Sequence, residues 1–148
     1  MSASLLDKGN AAAAALLRIS LGVMYLTHSI VLKVFTFGFA GTAGYFASLG
    51  LPSVTAYVVI AAEAIGGILL LANVRAGWVS LGLVPVLLGA MWVHSGNGWV
   101  FSGANGGWEY PLYLVVLSVA QILLGEGAFA LSRKTAQTER FVAQHTAA

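Results

Sequence analysis

Polar positions are sparse along this chain and fall in clumps between long apolar runs. An apolar run of roughly 20 residues is enough for a helix to cross a ~30 Å hydrocarbon core. Four runs approach or reach that length: residues 11–33, 53–72, 77–94 and 110–131. The polar opening, residues 1–10, ends at Asn10, a residue type suited to cap a helix starting at Ala11. Between the first two runs, Phe35, Phe37, Phe39, Tyr45 and Phe46 alternate with Gly38, Gly41 and Gly44, and Gly50 and Pro52 close the segment. Aromatic rings favour the membrane–water interface, so residues 40–49 read as a short interfacial helix or a re-entrant segment. Only Asn73-Val74-Arg75-Ala76 separates the second and third runs, which makes them antiparallel neighbours. Pro85 predicts a kink in the third. Residues 95–109 form a loop rich in Gly, Asn and Trp, and Pro111 suits the first turn of the fourth helix. The tail, 132–148, is polar. The pattern predicts an all-α single domain: an integral-membrane four-helix bundle with a short interfacial or re-entrant helix between spans one and two.

Composition strengthens that reading. Hydrophobic residues make up 59% of the 148 and charged residues 8%, against about 25% charged in a soluble globular domain. So few charges cannot cover a water-exposed surface, and the lipid bilayer becomes the first partner. With no cysteine, disulfides, thiolate metal sites and Cys nucleophiles are excluded. The net charge of +2 is too small and scattered for a nucleic-acid footprint. Arg18 inside the first run, and Asp7 before it, argue for a retained span and against a signal peptide.

The basic residues assign an orientation. If the N-terminus is cytoplasmic, Lys8, Arg75, Arg133, Lys134 and Arg140 share that side and only Lys33 lies opposite. That bias places both termini in the cytoplasm and the two long connections outside. Tyr57, Trp92, Trp99, Trp108, Tyr110 and Tyr113 then form an outer aromatic belt. Gly22, Gly66, Gly67, Gly82 and Gly89 are the small residues expected to let the helices approach one another in lipid.

Ionisable side chains inside spans are costly and mark partners or cavities. Counting ~1.5 Å per residue from the span ends puts Arg18 and Glu63 within a few ångströms in depth, so an intramembrane ion pair between them is expected. His28, His94 and Glu109 come from three helix ends on the outer side, with Tyr110 next to Glu109. These four are the candidate acid/base residues. Lys33, Asn97, Asn105 and Trp108 are expected to line the same pocket. Two His and a carboxylate are donors that a metal accepts, and two His could ligate a haem, but no local ligand spacing supports either, and neither is predicted. The glycines of 103–107 follow a loop and no lysine follows them, so there is no phosphate-binding motif. The sole aspartate, Asp7, is on the wrong side for a Ser–His–Asp triad.

Four blocks resemble the DoxX family of small four-span membrane proteins. They are Leu16-Leu17-Arg18-Ile19-Ser20-Leu21-Gly22; His28 to Lys33 running into Phe35-Thr36-Phe37-Gly38; Gly41-Thr42-Ala43-Gly44-Tyr45-Phe46-Ala47-Ser48-Leu49-Gly50-Leu51-Pro52; and Glu63 with Gly66-Gly67 followed by Asn105-Gly106-Gly107-Trp108-Glu109-Tyr110-Pro111. The resemblance covers about residues 16–131. His and Lys stand four apart in the family pattern and five apart here, which turns Lys33 by roughly 140° from His28 on an ordinary helix. Either the helix bulges, as helices do at functional sites, or Lys33 has left the site to anchor the interface.

The family resembles the membrane subunit of a thiosulfate:quinone oxidoreductase. The resemblance therefore implies a bacterial inner-membrane protein with quinone-linked redox work in an outward-facing polar pocket, a quinone as its cofactor or substrate, and a soluble or membrane redox partner. Its alternative implication is a non-catalytic anchor or assembly subunit of a redox complex. A homo-oligomer stays open.

Overall fold

The computed structural model describes residues 3–128, and among them every regular element is helical. Helix α1 (Ala3–Leu26) continues without a break into a π-helix, Thr27–Thr36. A short α2 (Gly38–Ser48) follows, then α3 (Val54–Leu71), α4 (Ala76–His94) and α5 (Glu109–Leu124). Helix α1 packs on α3 and α5, and α4 packs on α5 and α3, so the four long helices close a ring, with α2 lying across the π-helix and α3. The α1–π unit, α3 and α4 with its last turn are each long and apolar enough to cross a membrane; α5 is apolar and shorter.

The burial pattern is that of a bundle solvated by lipid. Leu21, Tyr25, Leu70, Ala76, Leu83, Leu87 and Leu114 form the core. Leu16 and Val23 on α1, Val58 and Ile65 on α3, Trp78 and Leu81 on α4, and Val116 and Leu123 on α5 point outward. Apolar side chains on both faces of a helix are tolerated where the outer solvent is hydrocarbon.

Close helix approach is concentrated at three glycines. A Cβ on Gly22 would come within 3.1 Å of Gly67 O, and one on Gly67 within 3.0 Å of Gly22 O, so α1 and α3 meet backbone to backbone. A Cβ on Gly66 would strike the Leu83 side chain of α4. Gly82 and Gly89, expected to serve the same purpose, have nothing within 4 Å of a built Cβ and close no helix contact.

Two boundaries differ from those the sequence suggests. Helix α1 begins at Ala3, so Asn10 lies inside it and caps nothing. The fourth helix stops at Leu124: Gly125 (φ 70°) and Gly127 (φ 68°) take left-handed conformations that turn the chain back, and Ala128 N–H donates to Ala11 O at 2.9 Å. The remainder of the expected span, residues 129–131, and the polar tail lie outside the described residues.

Candidate functional site

The Arg18–Glu63 ion pair does not form. Arg18 is 2% exposed, and its Nη1 donates to Leu70 O and, at 3.2 Å, to Leu71 O. The guanidinium thus caps the C-terminus of α3, where carbonyls lack helical partners and the dipole favours a cation. Glu126 adds an attractive carboxylate nearby. The physical reason is depth. Leu70 lies seven residues beyond Glu63 on the same face of α3, about 10 Å deeper at 1.5 Å per residue. Arg18 sits at the Leu70 level.

Glu63 is held instead by Lys33, whose Nζ lies 2.6 Å from Glu63 Oε2. The Lys33 and Glu63 side chains are 19% and 7% exposed. What allows this pair is the π-helix. Its i→i+5 register is visible where Phe37 N–H donates to Leu32 O at 2.9 Å and Thr36 Oγ1 to Val31 O at 2.8 Å. In that register residues five apart stack on one face, so the His28–Lys33 spacing, out of phase on an α-helix, comes back into phase. Of the two alternatives for this segment, the structure contains the altered helix. Two hydroxyls fasten it: Ser29 Oγ, fully buried, donates to Ile60 O at 2.8 Å, and Thr42 Oγ1 of α2 donates to Lys33 O at 2.8 Å.

His28 lies one turn before the pair. Its Nδ1 is 3.0 Å from Met24 O. A carbonyl can only accept, so Nδ1 carries the proton and Nε2 is the free acceptor. The ring stacks on Tyr110 at a centroid separation of 6.0 Å and an interplanar angle of 23°. His94, closing α4, is fixed by the same logic: Nδ1 lies 3.1 Å from Asn105 O and 3.0 Å from Gly106 O. Asn97 Nδ2 donates to the same two carbonyls at 3.1 and 3.0 Å. Asn105 (φ 65°) and Gly106 (φ 72°) both take left-handed conformations that aim these carbonyls at His94 and Asn97. Gly107 is buried, and a Cβ there would fall on the carbonyl oxygens of Gly98, Trp99 and Val100.

These elements border a cavity of about 570 Å³ whose polar lining side chains include His28, Lys33, Glu63, His94 and Tyr110. That volume is in the range of small-molecule sites. A second cavity of about 520 Å³ lies under α2 and shares His28, Lys33, Tyr45, Phe46 and His94 with the first. Of the expected acid/base residues, His28, His94 and Tyr110 border the space; so does Lys33. Glu109 does not. Its Oε2 accepts from Phe101 N–H at 3.1 Å and braces the loop. Asn97 and Asn105 act in the His94 brace, and Trp108 packs edge-on against Trp99 at 4.5 Å, so these three shape the loop without lining either cavity.

Tyr25 is a wall residue that sequence reasoning passed over. It is 1% exposed, its hydroxyl faces the buried Ser118 hydroxyl, and it borders the larger cavity. Its signal was its spacing: Arg18, Leu21, Tyr25 and His28 follow a three–four–three step along one helix face. Among the described residues no three His, Asp or Glu side chains gather as a metal-ligand set.

Comparison with known proteins fits this architecture. The chain is 38% identical over 76 residues to the protein named Putative oxidoreductase CatD of Bacillus subtilis (strain 168), covering 51% of this chain and 54% of the relative. The match thus spans about half the length of that protein. No solved structure matches. The DoxX family model matches residues 13–96, which take in Arg18, the π-helix, α2, Glu63 and His94 but stop short of the Asn105–Pro111 block. With more than half its length matched by that model, the chain belongs to the DoxX family.

Proposed function

We propose that the cavity bordered by His28, Lys33, Glu63, His94 and Tyr110 is a quinone site and that the protein is a quinone-linked oxidoreductase component of the bacterial inner membrane, with both termini cytoplasmic and the site near the outer surface. The observation that carries the reading is the joining of these five polar side chains to one apolar space of about 570 Å³. A quinone has a flat ring, two carbonyl acceptors and an apolar body. Tyr110, stacked on His28, offers that space an aromatic face and a hydroxyl. The oxidoreductase name of the Bacillus relative supports the same chemistry.

Reduction of a quinone to a quinol takes up two electrons and two protons. The electrons come from a reduced substrate or a redox partner protein. Protons can move through the two imidazoles, whose Nδ1 atoms are tied to main-chain carbonyls and whose Nε2 atoms are left for exchange. Lys33 keeps a positive charge beside the site, where a developing quinol oxyanion is stabilised, and Glu63 holds that ammonium in place.

Titration of the purified protein with a short-chain quinone, followed by tryptophan fluorescence, tests the reading; Trp92 borders the cavity as reporter. Saturable quenching is expected, weakened at least tenfold by His28→Ala with the helical circular dichroism retained. Absence of saturable binding to benzo- and naphthoquinones alike, together with a stably co-purifying partner, overturns it in favour of an anchor or assembly subunit.

A further inference from the structure

The larger cavity has a floor. Its lining stops at Met24 on α1, Glu63 on α3, Pro85 on α4 and Leu114 on α5. Below that level the inward stripes of two helices turn polar. On α5, Leu114 is followed at steps of four and three residues by Ser118 and Gln121. On α4, Leu87 is followed at the same steps by Leu83 and Ser80. Tyr25 of α1 joins the two levels. An aromatic side chain on a helix leans toward the helix N-terminus, which for α1 is away from the cavity. Tyr25 thus borders the cavity while its hydroxyl faces Ser118. The titratable groups nearest that hydroxyl are Glu63 of α3 and Tyr110 of α5.

The register of α4 against α5 is set where Gly77 backs onto Ile122, whose carbonyl oxygen would lie 3.6 Å from a built Cβ. Counted from that contact at 1.5 Å per residue, Ser80 and Ser118 differ in depth by about 1.5 Å, and Gln121 lies about 4.5 Å below Ser118. All three are fully buried. Ser80 Oγ and Gln121 Oε1 have no hydrogen-bond partner among the described residues. Ser29 is equally buried, yet its hydroxyl is satisfied by Ile60 O. An unpaired polar atom is costly in a protein interior, and lipid around the bundle offers it no partner. A buried water makes about three hydrogen bonds to such groups. Ser80 Oγ, Ser118 Oγ and Gln121 Oε1 make three within one helical turn, and two serines fill less space than the leucines above them. Lower still, Gln121 Nε2 donates to Gly125 O at 2.6 Å, where α5 ends and the half-buried Glu126 follows.

We propose that a water molecule held by Ser80, Ser118 and Gln121 forms, with the Tyr25 hydroxyl, a proton relay between the end of α5 and the cavity. Each oxygen accepts a proton from the one below and passes its own upward, and rotation of the hydroxyls resets the file. The relay moves protons and adds nothing to ligand affinity. The water site stands on the buried atoms themselves; that its protons serve a reduction in the cavity rests on the quinone reading.

The test uses the full chain in lipid nanodiscs, labelled with glutamine carrying 15N at both nitrogens and transferred to D2O. The Gln121 side-chain amide should exchange at least tenfold faster than the Gln121 backbone amide. Ser80→Val should abolish that difference, and Ser80→Thr, equal in shape but keeping a hydroxyl, should preserve it. If Ser80→Val fails to fold, Ser118→Val against Ser118→Thr makes the same comparison. Side-chain exchange no faster than backbone exchange in wild type, or equal rates in the Val and Thr variants, overturns the water site. Reduction of bound short-chain quinone by dithionite reads the relay. It should run at least fivefold slower in Ser80→Val than in Ser80→Thr, with quinone affinity in both within threefold of wild type. Equal reduction rates overturn the delivery of protons to the cavity. Wild-type protein that binds no quinone but keeps the Val–Thr difference in exchange overturns the reading of the cavity and supports the water site.

Discussion

Two regions of this bundle bury charge, and they do so for different ends. At the turn end, Arg18 spends its hydrogen bonds on the Leu70 and Leu71 carbonyls with Glu126 nearby, and Asn73 Nδ2 reaches Ala128 O at 3.2 Å. The hydrogen bonds named there each anchor a side chain to a main-chain carbonyl. At the cavity, Lys33 and Glu63, the latter midway along α3, satisfy each other from two different elements, and they border open space together with His28, His94 and Tyr110. A buried cation held by carbonyls is a fastening. A buried ion pair on the wall of a cavity, beside two imidazoles, is on the reading proposed above equipment for a ligand. The difference can be broken experimentally.

The largest effect is expected at the ion pair. Glu63→Ala leaves a buried ammonium and should cost about 3–5 kcal/mol of stability. The double variant Lys33→Met/Glu63→Met replaces the pair by chains of similar bulk and should recover most of that loss, since an apolar substitute for a buried pair is often neutral or better. Quinone affinity should stay at least tenfold below wild type in the double variant. Thermal unfolding in detergent alongside the titration separates the two outcomes. If stability and binding recover together, the pair is only a second fastening and the contrast between the two regions disappears.

Arg18→Met comes next. It removes donors from two carbonyls and a counter-charge from Glu126, for an expected loss of about 1–3 kcal/mol. Quinone affinity measured on the folded fraction should remain within threefold of wild type. A large loss of affinity at retained fold would mean that the turn end communicates with the cavity.

How much of this was legible beforehand follows the physics of each feature. Helix number and order were, because apolar runs of spanning length and the short turn at 73–76 need no tertiary information. Of the expected gathering of His28, His94 and Glu109, only the two histidines border the cavity, joined by Tyr110, the neighbour of Glu109. The partner of Glu63 was not, because depth arithmetic assumes 1.5 Å per residue and α-helical phase throughout, and the ten-residue π-helix violates the phase where Lys33 lies. Arg18 was misassigned for a related reason: its depth was counted from an assumed start near Ala11, while α1 begins at Ala3 and sets Arg18 against the last turn of α3. Tyr25 was overlooked because a lone tyrosine in an apolar run carries no charge to signal it.

The smallest effect is expected at Glu109, the residue that sequence reasoning would have mutated first. It is the only carboxylate in the loop that joins α4 to α5, and it sits beside Tyr110, so motif and charge both point to it. The structure gives that carboxylate a different task. Its Oε2 accepts from Phe101 N–H, while its own N–H donates to Trp99 O, so one residue pins the loop twice at the start of α5. A glutamine amide oxygen can accept the same bond, losing only the charge-assisted part and the favourable placement of an anion at a helix N-terminus. Glu109→Gln should therefore cost less than about 1 kcal/mol and change quinone affinity by less than threefold, while His28→Ala in the same assay costs at least tenfold. The reverse ranking would move the acid/base centre from the π-helix to the loop. It would also turn the Lys33–Glu63 pair back into scaffold and leave the two regions alike.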